Sequence, residues 1–167
     1  MNRREQIKMT AAEAASFLAE ERTVTCATSG PRGWPHLMPL WYVLRGHSAG
    51  EPGPRIWSWT YAASQKVRNL EREPRATLQV ETGEEYAELR GVMLECDVVI
   101  HREITDIVRL GAEIMMRNAV PRGEAPPSEL PPEARDAVAA QAGKRVGLEF
   151  VELRRVSWDH RKLGGVY

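Results

Sequence analysis

Trp34-Pro35-His36-Leu37-Met38-Pro39-Leu40-Trp41-Tyr42-Val43-Leu44 has the aromatic and apolar composition of a β-strand, yet two prolines interrupt it. Proline carries no amide hydrogen, so this strand must lie at an edge or leave its sheet locally. A chain that turns a free backbone edge toward a ligand has this pattern. On its N-terminal side, Ser29-Gly30-Pro31-Arg32-Gly33 is a turn, and Thr23 to Thr28 alternates with β-branched residues as a first strand. On its C-terminal side, Arg45 to Pro54 is a Gly/Pro-rich loop, followed by a third strand, Arg55 to Thr60, that carries Trp57 and Trp59.

Upstream, Thr10-Ala11-Ala12-Glu13 is a capping box opening a helix whose apolar face is Ala14, Phe17 and Leu18 and whose end falls near Glu21. Downstream, Ser64 to Glu73 is a short helix buried on Val67 and Leu70 and stopped by Pro74. Arg75 to Glu81 alternates, and Thr82-Gly83-Glu84 closes a hairpin into a long strand from about Tyr86 to His101. Its inner face is Val92, Leu94, Cys96, Val98 and Ile100. Glu103 to Arg117 is helical, with Ile104, Ile107, Val108, Ile114 and Met115 for packing. Ala119 to Pro132 holds five prolines and is a surface excursion, Pro132 to Ala142 is a helix, and Lys144 to Trp158 is a final strand. About six strands, few tight hairpins and one short helix between strands describe a mainly β fold, a barrel whose ends are closed by helices.

The 167 residues suit a single domain spanning 1–167. Lys+Arg and Asp+Glu both number 23, so no global field draws the chain to nucleic acid or to a membrane surface. The polar Met1–Thr10 stretch lacks the apolar core of a signal peptide, and no apolar run is long enough to span a bilayer. A cytoplasmic protein is the expectation, with Cys26 and Cys96 as buried thiols. The four histidines have no metal-ligand spacing, and no phosphate loop, nucleophile elbow or dinucleotide fingerprint is present.

Three segments could carry chemistry. Ser64, Gln65, Lys66, Arg68 and Asn69 open the short helix, where free amides, a hydroxyl and a lysine suit an anion. Read more plainly, Ser64 only caps and Lys66, Arg68 and Arg72 form a solvated face. The proline-broken strand frees carbonyls and amides that could bond the polar rim of a planar heterocycle, or it is simply an edge guarded against aggregation. Val156 to Leu163, with Trp158, His160 and Lys162, is an aromatic and charged cluster or an ordinary strand end. Trp41, Trp57, Trp59 and Trp158 suit the wall of an aromatic pocket, although tryptophans are more commonly core.

Together these pieces resemble the pyridoxamine 5′-phosphate oxidase-like superfamily, and within it the actinobacterial branch of small F420-dependent reductases. The resemblance rests on Val24 to Thr28, Gly33-Trp34-Pro35-His36-Leu37 running into Pro39-Leu40-Trp41-Tyr42, and Ser64-Gln65-Lys66-Val67-Arg68-Asn69-Leu70. It continues through Glu73-Pro74-Arg75-Ala76, Arg90-Gly91-Val92, Lys144-Arg145-Val146-Gly147 and Ser157-Trp158-Asp159-His160-Arg161-Lys162-Leu163. It implies a six-stranded split β-barrel of the FMN-binding type, a homodimer, and a groove to which both subunits contribute. Ser64, Gln65 and Lys66 would hold the cofactor phosphate, with Arg68 or Asn69 nearby. His36, Leu37, Met38, Pro39 and Trp41, with Trp59 and Thr60, would line the tricyclic ring, and Trp158 to Lys162 would reach the partner's site.

Pyridoxamine phosphate oxidases proper gather several arginines on the FMN phosphate and end in an Arg-Leu substrate motif, whereas this chain has Ser64-Gln65-Lys66 and Asp159-His160-Arg161-Lys162. That departure argues against vitamin B6 chemistry, favours coenzyme F420 and leaves FMN as the alternative. Basic groups spread over Arg68, Arg72, Arg75, Arg161 and Lys162 would suit the extended polyanionic tail of F420. Lys66 is expected to stand exposed in the empty site, so that its truncation weakens binding without unfolding the chain. The expected activity is hydride transfer from the reduced deazaflavin to a small-molecule acceptor. No catalytic residue is assigned, His36 and Tyr42 being the conceivable proton donors, and a non-catalytic carrier would share every motif.

Overall fold

A computed structural model describes residues 2–46 and 53–164. Helices α1 (Arg3–Ile7) and α2 (Ala11–Glu20) precede strands β1 (Thr23–Ser29), β2 (Pro35–Arg45) and β3 (Arg55–Tyr61). Helix α3 (Gln65–Arg72), strands β4 (Arg75–Thr82) and β5 (Arg90–His101), helices α4 (Ile104–Asn118) and α5 (Pro132–Ala142), and strand β6 (Arg145–Asp159) follow. Single 3₁₀ turns at Tyr86–Glu88 and His160–Leu163 complete the chain. The capping box forms as the sequence requires, with Thr10 Oγ accepting from the Glu13 amide and the Glu13 carboxylate accepting from the Thr10 amide. Most of the 45–54 loop lies outside the described residues.

The six strands close into an antiparallel barrel in the order β1-β2-β3-β6-β5-β4. Residues of every strand fill it: Val24 and Cys26, Leu40 and Tyr42, Ile56, Leu78 and Val80, Val92, Leu94 and Cys96, and Val146, Leu148 and Phe150. At one end Phe17 and Leu18 of α2 cover this core, and the Tyr42 hydroxyl donates to the Leu18 carbonyl at 2.6 Å. At the other end α3 plugs the barrel with Val67 and Leu70. On the outer face α4 lays Leu110 and Ile114 against Val43, Trp57 and Trp59. The C-terminal turn of α4 binds back to α2, because the Arg117 guanidinium donates to the carbonyls of Leu18, Ala19, Glu21 and Tyr42 and so satisfies the free end of that helix.

One seam is incomplete. β1 and β2 pair over seven positions, Thr23↔Trp41 to Ser29↔Pro35, but β2 and β3 pair only over Tyr42↔Ser58 to Arg45↔Arg55. Residues 35–41 therefore have a neighbour on one side only among the described strands. The Tyr42 amide points toward β1, donating to the Arg22 carbonyl. Strand alternation then puts the nitrogens of residues 35, 37, 39 and 41 on the side away from β1. Both prolines thus sit on the open side of β2, and Pro39 falls where the register would set it opposite Tyr61 at the end of β3. Ser58 Oγ closes the fork by donating to the Trp41 carbonyl at 2.7 Å.

Three expectations need correction. The long strand begins at Arg90 rather than near Tyr86, because Tyr86–Glu88 coils into a 3₁₀ turn whose Tyr86 ring stacks on His160 at 4.4 Å. Ile104 and Met115 of α4 are exposed, and the buried face is Ile107, Leu110, Gly111 and Ile114. The four tryptophans do not form one wall. Trp57 and Trp59 lie under α4, Trp41 stands half exposed on the open stretch of β2, and Trp158 packs on Gly91. The cysteines are buried and free, as expected.

Gly111 is where α4 meets Trp59, since a Cβ there would lie 2.4 Å from the indole. Gly111→Ala should gain roughly 1 kcal/mol in helix propensity but lose about 1–3 kcal/mol through overpacking. The expected net result is a lower midpoint in chemical denaturation and an altered Trp59 fluorescence; a midpoint above that of the parent would show that the helix yields freely.

Candidate functional site

The fork between β2 and β3 faces the N-terminus of α3. Ala62 donates to the Lys144 carbonyl and Ser64 to the Tyr61 carbonyl at 3.0 Å, so the chain leaves β3 and turns at once into the helix. Ser64 is the N-cap residue, but its hydroxyl makes no capping bond. Lys66 reaches across to Thr60, its Nζ donating to Oγ1 at 2.9 Å. Asn69 donates to Thr28 Oγ1 at 3.0 Å and accepts from Gln65 Nε2 at 2.9 Å. These bonds fix α3 to β1 and β3 at the mouth of the barrel.

Contrary to the expectation from sequence, Lys66 is only 6% exposed. Burial pulls its ammonium below the usual lysine range, and the charge of Arg145 pulls the same way. The Cys26 thiolate would oppose this, but burial pushes that thiol up to about 12, so at neutral pH it supplies no negative charge. Lys66 is thus a buried cation with one hydrogen bond, donor capacity to spare and no carboxylate at ion-pair distance among the described residues.

Three buried side-chain polar atoms of the described residues lack partners: His36 Nδ1, Ser64 Oγ and Arg145 Nε. They lie on three elements, His36 on β2, Ser64 at the start of α3 and Arg145 at the start of β6. His36 sits opposite Thr28 in the β1–β2 ladder, one bond from Asn69. Arg145 sits opposite Tyr61 in the β3–β6 ladder, one turn from Ser64. Along the open edge of β2, Leu37, Met38 and Trp41 are 56%, 42% and 50% exposed, and Pro39 is exposed beside them. Continuing the β2–β3 register past the fork would set Trp41 opposite Trp59. Of the residues singled out from sequence, His36, Leu37, Met38, Pro39, Trp41, Trp59, Thr60, Ser64, Gln65, Lys66 and Asn69 therefore come together at the fork and α3, with Arg68 on the exposed face of the helix.

Trp158 and Lys162 do not join them within one chain. On β6, Gly147 pairs with Trp59, whereas Trp158 lies at the far end of the strand, opposite Gly91 of β5. Lys162 is bound to the Lys8 carbonyl and the Glu13 carboxylate at 2.8 and 2.7 Å, fastening the tail to the first helices. Arg161 pairs with Asp159, Arg75 with Glu73, and Arg72 donates to the Ser29 carbonyl. Of the basic groups expected to be free along the helix and tail, only Arg68 has a side chain without a partner among the described residues. Tyr42 is excluded as a proton donor at the fork by its full burial and its bond to Leu18. Only the strand register brings Arg145 opposite Tyr61, where its guanidinium rests on the Trp59 and Tyr61 rings.

Concavities of about 680 Å³, between α2, α4 and residues 123–126, and about 620 Å³, between α2 and β6, lie away from the fork. In a single chain the fork itself is open to solvent along Leu37, Met38 and Trp41.

The pyridoxamine 5′-phosphate oxidase family model matches residues 10–154. The chain belongs to that family. Among solved structures it is similar to the conserved hypothetical protein Rv2991 of Mycobacterium tuberculosis, at 37% identity over 100% of this chain and 95% of that one, with a TM-score of 0.81. An F420 reductase aligns at 20% identity over 84% of this chain and 93% of that one (TM-score 0.56). An FAD-binding protein of Mesorhizobium loti aligns at 14% identity over 90% and 94% (TM-score 0.60). At those identities the last two show a shared fold. No curated protein matches the chain.

The buried Lys66 sets a test with two readouts. A lysine whose folded-state value lies below its unfolded one penalises folding below the folded-state value, and the penalty fades as pH rises toward the unfolded value. Lys66→Met should therefore unfold at a temperature no lower than the parent at pH 7. It should also weaken binding of a phosphorylated flavin or deazaflavin by about 1.5–3 kcal/mol, the size of a lost charge-assisted hydrogen bond. A destabilised variant with unchanged binding would make Lys66 a structural strut.

Proposed function

We propose that the protein is an oxidoreductase that binds coenzyme F420 at the β2–β3 fork and transfers a hydride from its reduced form to a small-molecule acceptor. The observation that carries this is a buried lysine with no described carboxylate partner, next to the unpartnered Ser64 hydroxyl at the start of α3 and the exposed backbone edge of β2. Buried polar atoms are rarely left unpaired, and where they cluster a ligand is the economical explanation. The donor set fits a planar heterocycle with an anionic tail. The open side of β2 offers the Leu37 amide between carbonyls, a rim complementary to a pyrimidine edge, and Leu37, Met38 and Trp41 offer apolar surface to its face. Lys66 and Ser64 supply cationic and hydroxyl donors to a phosphate.

The bound deazaflavin would supply the hydride from ring carbon 5. The chain's residues orient the ring and exclude water, which is the protein's ordinary share of cofactor chemistry. His36 is the side chain at the fork placed to hold a proton, and its unpartnered Nδ1 leaves that atom available. F420 is preferred to FMN because one lysine and a serine, rather than an arginine cluster, face the phosphate position. The pairing of Arg72, Arg75, Arg161 and Lys162 withdraws the support that spread charge lent to this choice. Side-by-side titration with F420 and FMN should show tighter F420 binding, weakening as salt rises. Oxidation of reduced F420 by an electrophilic acceptor should follow. Equal or tighter FMN binding would transfer the proposal to FMN, and binding without turnover would make the protein a carrier.

We further propose a two-fold homodimer in which the partner supplies the missing wall of the groove, with Trp158 and Lys162 approaching the partner's fork. Exposed Leu37, Met38 and Trp41, together with Leu153 and Val156 on β6, form apolar surface suited to burial. Sedimentation at micromolar concentration should give a dimer; a monomer that still binds F420 would remove the shared groove.

A further inference from the structure

The cover that α2 lays over its end of the barrel is incomplete. The helix turns Ala11, Ala14, Ala15 and Leu18 toward the strands, and three of these four side chains are single methyl groups. Opposite them lie Ile56, Leu94 and Phe150, core residues of β3, β5 and β6. The concavity of about 620 Å³ between α2 and β6 separates these two layers, and none of the residues gathered at the fork lines it. Protein interiors are close-packed, and an apolar recess of roughly 300–1,000 Å³ is the size that small ligands fill.

The rim of this recess is charged in one sense. Among the described residues, Lys8, Arg55 and Arg155 line it against a single carboxylate, that of Glu152. Arg55 is held by Glu149. Glu152 takes the Nε and one Nη of Arg155 at 2.9 and 2.6 Å, which leaves the other Nη without a described acceptor. Lys8 is exposed and engaged through its carbonyl, which accepts from Lys162, while its ammonium has no described partner. Lys8, Arg155 and Ser157 also line a neighbouring concavity of about 610 Å³ under α1, where Arg4 adds a cation and Glu5 a carboxylate. The apolar recess therefore opens on its α1 side toward an excess of positive charge.

We propose that the recess between α2 and β6 binds an aliphatic monocarboxylate, a free fatty acid of medium chain length. Its alkyl chain lies between Ala14 and Ala15 on one side and Leu94 and Phe150 on the other, and its carboxylate meets Lys8 and Arg155. Because Glu152 half neutralises Arg155, the rim suits a single negative charge. Exposed cations alone hold a small anion weakly, so affinity comes from the buried chain and the charge selects which chain end points out. The site stands apart from the fork and does not depend on which cofactor the fork takes.

The test is calorimetric titration of the full chain with decanoate, hexanoate and decan-1-ol, with folding of each variant checked by thermal denaturation. Decanoate should bind saturably at one site per chain, tenfold or more tighter than hexanoate, since each buried methylene adds roughly threefold to fourfold. Decan-1-ol should bind at least fivefold more weakly than decanoate. Lys8→Glu should lose fivefold or more for decanoate and less than twofold for decan-1-ol. Ala15→Phe, which fills the recess from an exposed helical position, should lose tenfold or more for both; Ala11→Leu, a smaller filling of the same face, serves if that variant does not fold. Absence of saturable decanoate binding by the parent would overturn the proposal, as would equal affinity for decanoate and hexanoate or unchanged affinity in both kinds of variant. Displacement of decanoate by FMN or F420 would place the chain at the fork and overturn it as well.

Discussion

Two missing amide hydrogens shape this molecule. Pro35 and Pro39 occupy positions of β2 whose nitrogens point away from β1, in the stretch beyond Tyr42 that β3 leaves unpaired. The open stretch exposes Leu37, Met38 and Trp41, while the other neighbour, β1, keeps the strand straight and anchored. The fork depends on this opening for its free backbone edge and for the exposure of Trp41 beside the start of α3.

Around that opening the fold is over-determined. The seven-position β1–β2 ladder holds one lip, and the β3–β6 ladder from Ile56↔Phe150 to Tyr61↔Arg145 holds the other. Ser58 Oγ pins the apex, α4 presses on Trp59 through Gly111, and Asn69 ties α3 to β1 through Thr28. Rigid walls around polar atoms left unsatisfied are what preorganised binding requires, since little remains to be ordered when a ligand arrives.

Much of this was legible in the chain. Alternation and punctuation located all six strands, and the capping box and Pro74 bounded the helices they bound in the structure. The prolines alone announced an edge in β2, because the missing donor is a property of the residue and not of its surroundings. Long-range geometry was not legible. Lys66 looked like a surface lysine beside Arg68, since sequence does not tell which residues of an eight-residue helix turn toward Thr60. Arg72, Arg75, Arg161 and Lys162 looked like free charge, because their partners Ser29, Glu73, Asp159 and Glu13 become partners only through turns and tertiary contacts. The same holds for Arg145, whose place on the Trp59 and Tyr61 rings depends on its register with Tyr61.

The strand order carries a consequence for how the chain reaches this state. β6 lies between β3 and β5, so the sheet's last strand in sequence must insert between two strands that arrived long before it. Until residues 145–159 are available, β3 and β5 each present an unpaired edge, and neither Arg55–Tyr61 nor Arg90–His101 contains a proline to guard it. Contacts so distant in sequence close slowly, in the millisecond-to-second range for β-rich domains. During that interval these two edges, and not the permanently open one on β2, are where neighbouring nascent chains could adhere. The native molecule keeps its guarded edge in plain view, and its vulnerable edges exist only on the way to being folded.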